Sequence, residues 1–355
     1  MLQVESRFIV EAKEARNGAH LEALLQKALR LEHSTIPPYL TAAFSLKRGS
    51  NGEVFSTLKE IAEEEMLHMA IVANVINAIG GKPDIAGKEF IPKYPGLLPM
   101  TIGDLVVGLK KFSRELVHDV FMKIEEPETP LFFPVRVLEA AREQQQFATI
   151  GAFYTAIRER IGELGDEIFI GDPARQVTIE DHASPWDILK PITNARAAID
   201  ALTWIMEDGE GTPTTPFDGS GQLAHYYRFA EIYNGRRIVE DETAESGYAY
   251  GGDPVPIDTE QIWNLPDNPK ASDYPEESQA RRGVDRFNQM YSDMLRALQQ
   301  GFDSQPDQIS QALQLMGGLH RLAVQIVSIT DPNSDKNVGL TFEYVPPTRW
   351  HRSGQ

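Results

Sequence analysis

The sequence predicts a mainly all-α fold: a four-helix bundle with long loops and an additional C-terminal helical hairpin. Three observations carry this reading. Apolar residues recur at helical spacing over several long stretches of the 355-residue chain. Plausible strands are confined to one short region. Most of the Gly and Pro punctuation falls between the periodic stretches rather than within them.

The elements follow in order. Leu21, Leu24, Leu25, Ala28 and Leu29 recur at helical spacing after the start signal Asn17-Gly18, so the first helix runs from about 20 to 46. Pro37-Pro38 is expected to kink or interrupt it, because each ring nitrogen removes a donor and clashes with the preceding turn. A second helix runs from about 53 to 79 and is stopped by Gly80-Gly81 and Pro83. Four prolines make 81–100 a loop.

Shorter helices are expected at 101–111 and 113–123, capped by Thr101 and Ser113. A third long helix is expected over 135–162, then a mixed region with two short strands near 168–170 and 176–179. A fourth long helix covers about 193–207 and ends at Gly209. "HYYRFAEIYNG" starts another short helix. The five prolines of 241–276 read as an ordered connecting arm, and helices at 278–301 and 305–329 as an antiparallel hairpin. The expected organisation is therefore a bundle over 1–240, an arm over 241–276, and a hairpin and tail over 277–355 packed on the bundle.

Composition excludes several functions. Asp plus Glu number 52 against 34 Lys plus Arg, a net charge of −18 that opposes unguided binding to nucleic acid or anionic membrane. Cysteine is absent, which removes disulfides, thiolate metal sites and Cys nucleophiles together. A metal would have to be held by oxygen and imidazole nitrogen. The first residues lack the pattern of a signal peptide and no stretch is long enough for a membrane span, so the cytoplasm is the expected location.

The second helix carries the chemistry. Ile61, Glu65, His68, Val72, Val75 and Ile79 fall on one face, so a carboxylate and an imidazole project inward as a Glu-x-x-His pair. Bundles that bind two metals through carboxylates use this element. By itself it is a weak signal, since such a pair also borders solvated faces. On the first helix, Leu25, Leu29, Glu32 and Ile36 continue a stripe, so Glu32 also faces inward. Two adjacent helices that each bury a carboxylate need a shared cation more than either does alone. His33 leaves that stripe and reads as a surface or supporting residue.

On the fourth helix the stripe reads as Ile199, Leu202 and Met206, with Glu207 and Glu210 near its end and His225 able to fold back toward it. The third helix has its core run at Phe147, Ile150, Tyr154, Ile157 and Ile161, with Glu143 and Glu159 at its flanks. Tyr154 is the candidate catalytic hydroxyl, with a structural role in the core as the competing reading. His320, in "MGGLHRLAVQIV", reads as a core or interface histidine.

In order along the chain, "LEHSTIPPYLTAAFSLK", "EEEMLHMAIVANVINAIGGKP", "FIPKYPGLLPM", "VFMKIEEPE", "TIGAFYTAI", "GEGT" with "HYYRF", and "GLTFEY" together resemble the ferritin-like iminophenyl-pyruvate dimer synthase family, which includes a violacein-pathway protein. The resemblance covers about 18 to 345. It implies a ferritin-like bundle, a non-haem iron site of one or two ions (manganese being the other metal), and oxidative chemistry on amino-acid-derived imines.

Position by position, Glu32 matches the family's first-helix acid and Glu65 with His68 its second-helix pair. Glu210 and His225 match polar positions of the later blocks. Ala152 stands where that pattern often has an acid, whose loss would open the site, leave one metal rather than two, or require Glu159, one heptad on, as a replacement ligand.

The expected function is a non-haem iron oxidoreductase that uses dioxygen or peroxide on a small organic substrate. The substrate is expected to enter near the loops 81–100 and 209–222. The competing readings are iron handling and a scaffold on a degenerate bundle. A homo-oligomer fits either.

Overall fold

The structure is a computed structural model and describes residues 2–128, 130–131, 149–179, 189–212, 214–303 and 305–347. Two 27-residue helices, α2 (Gly18–Phe44) and α3 (Gly52–Ala78), form its central pair. Their facing apolar side chains leave almost no accessible surface, including Leu21, Leu25, Leu29, Val54, Leu58 and Ile61. Each such side chain contributes about 1.5–3 kcal/mol on burial. A second pair, α6 (Ile150–Leu164) and α7 (Ala195–Glu210), packs across it through α7, and α1 (Ser6–Lys13) lies against α6.

Helix starts follow local chemistry. Asn17, Thr149, Asn194 and Ser278 each accept a hydrogen bond from the backbone N–H of the third residue onward, which satisfies a donor the first turn leaves free. The helical segment at 114–124 consists of α4 (Arg114–Leu116), a π-helical turn (Val117–Phe121) and α5 (Met122–Ile124). The short helix α8 (His225–Asn234) rests on that π-turn and on α7.

The hairpin α9 (Gln279–Phe302) and α10 (Ile309–Val327) packs on the side of α2 and α3 away from α7. The arm straps the α2–α3 connection: Trp263 N–H donates to the Ser45 carbonyl at 2.7 Å, and Asn51 and Asp258 exchange two hydrogen bonds. One apolar core runs from Leu2 to Phe342.

Several expectations are corrected. Pro37-Pro38 does not interrupt α2, which is helical to Phe44. A proline at 38 frees the Ser34 carbonyl, and the Tyr94 hydroxyl donates to it at 2.6 Å. The expected helix at 101–111 is absent. Thr101–Ile102 is strand β2, paired antiparallel with β1 (Gln3–Val4), and Val107 exchanges backbone hydrogen bonds with Gly96. Gly103, at φ 94°, takes a conformation that no right-handed helix contains.

Neither expected strand in 168–179 forms among the described residues. Single 3₁₀ turns stand at Asp166–Ile168 and Pro173–Arg175. Val177 is instead held by the Asn74 side chain, which donates at 2.7 Å and accepts at 2.8 Å. In the third long helix the described part starts at Ile150, after the extended cap Thr149. The expectations for 135–148, Glu143 and Phe147 included, lie outside the described residues.

Candidate metal centre

Six buried titratable side chains converge between α2, α3, the C-terminus of α5, α7 and α8. Glu32, Glu65, His68, Glu125, Asp208 and His225 are each less than a tenth exposed. Three groups of three have their ligand atoms within 4.8 Å of one another: Glu32, Glu65 and His68; Glu65, Glu125 and His225; and His68, Asp208 and His225. Glu65 belongs to the first two and lies between them.

The imidazole contacts separate ligands from supports. Asp208 Oδ2 accepts from His68 Nε2 at 2.9 Å and lies 3.2 Å from His225 Nε2. Both Nδ1 atoms then face the glutamates. His68 Nδ1 lies 3.6 Å from Glu32 and 3.7 Å from Glu65, while His225 Nδ1 lies 3.1 Å from Glu65 and 3.8 Å from Glu125. A carboxylate on the far nitrogen of a ligating histidine fixes its tautomer and raises its basicity. Asp208 therefore orients both rings.

Behind His225, Glu64 lies 3.1 Å from Nε2 and is itself held by Arg228. Tyr154 donates to Glu32 and Tyr39 to Glu125.

Local structure explains how these groups arrive together. Glu65 and His68 are an i, i+3 pair on α3. Glu125 is delivered by the π-turn, where Met122 N–H donates to Val117 O, five residues back. That register advances the chain by one extra residue before the helix ends at Glu125, a device that recurs at functional sites.

The electrostatics report crowded acids. Burial and the neighbouring Glu65 charge raise Glu32, which His68 and Tyr154 only partly offset, and it sits at about 7. Burial also pushes Glu65 upward, but the His225 and His68 imidazoles beside it outweigh that and bring it to about 2. Burial and Glu65 raise Glu125. Asp208 is held well below the usual carboxylate range by the two histidines, against the effect of burial. Both imidazoles are raised well above their ordinary value by the carboxylates, again against burial.

A divalent ion fits this donor set. His225 Nδ1 is buried and has no hydrogen-bond partner. The donor separations of 3.1–3.8 Å admit an ion at about 2.1 Å from each. Leaving several buried carboxylates uncompensated would cost several kcal/mol each, and ions in place of protons would balance them. Oxygen plus imidazole, without thiolate, suits iron or manganese.

The remaining expected residues are placed less uniformly. Glu210 borders the cavity of about 30 Å³ at the centre, where its carboxylate accepts from Gly151 N–H at 2.9 Å. It belongs to none of the three ligand groups. Burial raises it to about 8. Glu159 is exposed on α6 and lies outside these groups, a correction to its reading as a replacement ligand. Ala152 does not line the cavity, whereas Gly151 does. Tyr154 is at the centre through Glu32. Of the two loops expected at the entrance, 209–222 borders the cavity at Gly209 and Glu210, and no residue of 81–100 lines it. His33 is buried and pairs with the Tyr291 hydroxyl at 2.7 Å.

Glu125 and Asp208 are the groups that sequence reasoning missed. Val117, Phe121 and Glu125 share a spacing of four that continues past the expected helix end. The buried stripe of α7 is Ala198, Leu202 and Ile205, followed by Asp208. Reading it as Ile199, Leu202 and Met206 turns attention to Glu207 and Glu210 instead.

The profile of the ferritin-like family matches residues 25–234, more than half of the chain. The chain belongs to the ferritin-like family. All six converging residues of this ferritin-like protein lie inside the matched segment.

Among its relatives, dichlorochromopyrrolate synthase of Lentzea aerocolonigenes is 24% identical over 396 aligned positions, covering 94% of this chain and 37% of that protein. The chain thus spans a little over a third of that relative's length. A ferritin-like protein from Caulobacter vibrioides, whose crystal structure was determined at 1.95 Å, matches with a TM-score of 0.54 at 18% identity, over 92% of this chain and 97% of that one. That likeness establishes the fold alone. No helix among the described residues is long and apolar enough to cross a membrane.

Proposed function

We propose that this ferritin-like protein is a two-metal oxidoreductase of biosynthesis. It would use dioxygen or peroxide on a small organic substrate, with oxidative coupling of amino-acid-derived imines as its reaction. Iron is the metal assigned to it, with manganese as the alternative. The observation that carries the reading is Glu65, shared by two buried three-residue groups that each add a glutamate and a histidine Nδ1. Similarity to a synthase supports a biosynthetic role.

Glu32, Glu65 and His68 would hold one ion, and Glu65, Glu125 and His225 the other. Bound there, the ions would supply electrons to the oxidant at a site whose carboxylates stabilise higher oxidation states. Asp208 holds both imidazoles with their Nδ1 atoms inward. Tyr154 and Tyr39 each hold one glutamate in position, and the Tyr154 hydroxyl is placed to move a proton to or from Glu32 Oε1. Ile124, Ile150 and Ile205 line the cavity and exclude bulk water.

Metal content after anaerobic iron loading tests the proposal. The wild type is expected to bind two ions per chain, His225→Ala and Glu125→Gln one each, and Glu65→Ala none. Two ions in every variant would place the ligands elsewhere. Oxygen consumption with Fe(II) alone, unaffected by any aromatic imine, would favour iron handling over oxidation of a substrate.

A further inference from the structure

A second cavity, of about 460 Å³, lies between the α2–α3 pair and the C-terminal hairpin. It uses the other face of the metal-bearing helices: Met66 and Met69 line it, while their neighbours Glu65 and His68 face the metal centre. Its size is that of a small-molecule site, whereas the space at the centre suits an ion or a water.

The cavity is long and polarised. It follows α2 from His33 to Phe44 and α3 from Lys59 to Met69, about 17 and 15 Å of helix. Methionines and leucines form most of the far wall, a lining that adapts to flexible apolar ligands. Lys59, His320 and Arg321 stand together at the end marked by Phe44, against which the His320 ring packs edge-on. Lys59 is paired with Glu63, but Arg321 is exposed and has no carboxylate partner among the described residues. Cations dominate here even in a chain of net charge −18: beyond the effect of burial, Lys59, Arg48 and Arg321 lower His320 against the opposing charge of Glu63.

We propose that this cavity binds an acyl-chain carboxylate, with the chain along α2 and α3 and the carboxylate at Arg321. Length along the helices, apolar walls and an unpaired cation at one end each match one part of such a ligand. The site is independent of the metal assignment, since it shares no lining residue with the centre except through the helices themselves.

Calorimetric titration of the 355-residue chain with dodecanoate, below its micellar concentration, tests this. The expected result is one site per chain, weakened roughly tenfold or more by Arg321→Glu and similarly in dodecanol, which lacks the charge. Met316→Trp, which fills the cavity, is expected to abolish binding; Leu313→Trp, nearer the rim, provides a second filling variant should that one unfold. His68→Ala is expected to bind dodecanoate as the wild type does, so loss of an ion from the centre leaves this readout untouched. No binding by the wild type, or equal binding by Arg321→Glu and both filled variants, would overturn the proposal. Tighter binding of 1-naphthaleneacetate than of dodecanoate would also overturn it, in favour of an aromatic acid.

Discussion

At Glu210 two local forces oppose each other. Its carboxylate accepts from Gly151 N–H at the start of α6, where the helix dipole favours an anion. Burial disfavours that anion, and burial wins, placing the group at about 8 against an ordinary 4.5. Below about pH 4.5 the group is protonated in both folded and unfolded chains. Between 4.5 and 8 only the unfolded chain ionises, so its contribution to stability is lost as pH rises through that window and is constant above it. Metal-free Glu210→Gln should therefore melt near the wild type at pH 4.5 and above it at pH 8. Parallel melting curves across the range would show that Glu210 is ionised in the folded protein. Gly151 matters for the same contact, because a Cβ there would lie 2.6 Å from Glu210 Oε2. Gly151→Ala should displace the carboxylate and erase the Glu210-dependent part of the pH profile.

Two helices are shaped by partners distant in sequence. α2 passes through Pro37-Pro38 because the Tyr94 hydroxyl serves the carbonyl that Pro38 cannot. Tyr94→Phe leaves that buried carbonyl unsatisfied and should cost about 1–3 kcal/mol in urea unfolding, with metal ligands unchanged. The π-turn makes a sharper claim. Deleting the exposed Asp119 should return Val117–Phe121 to ordinary α-helix with Glu125 still in register, whereas an alanine inserted after Met122 should rotate Glu125 by about 100°. Metal content of the insertion variant is expected to fall by one ion while circular dichroism stays helical. Retention of both ions would remove Glu125 from the ligand set.

For the molecule as a whole, the centre ties together parts of the chain that otherwise meet through apolar contacts. Ligands come from α2, α3, the end of α5 and α8, with Asp208 from α7. An ion that binds only the folded chain stabilises it by about 2.7 kcal/mol at a free concentration 100 times its Kd. Saturating Mn(II) should therefore raise the melting temperature of the wild type, and a chelator should reverse the rise. Glu65→Ala should melt at the same temperature with or without metal. A rise of equal size in that variant would mean that the ions act at the acidic surface of this −18 chain.

The helical class, the central α2–α3 pair and the inward Glu32, Glu65 and His68 were legible in the residues, because a period of 3.6 specifies both a helix and the face it buries. His225 and Tyr154 were legible as candidates through their place in the chain. Three features were decided only by tertiary structure. A π-turn shifts register by one residue, so Glu125 reaches the centre from a segment that reads as a break. Ala198, Leu202 and Ile205 differ from Ile199, Leu202 and Met206 by a fraction of a turn, and only packing against α3 selects the stripe that leads to Asp208. The carbonyl that Pro38 leaves free has its donor on Tyr94, far along the chain. Local sequence sets which faces are apolar; which of two nearly equivalent faces is buried, and which distant group satisfies a freed polar atom, depends on what lies opposite once the chain has packed.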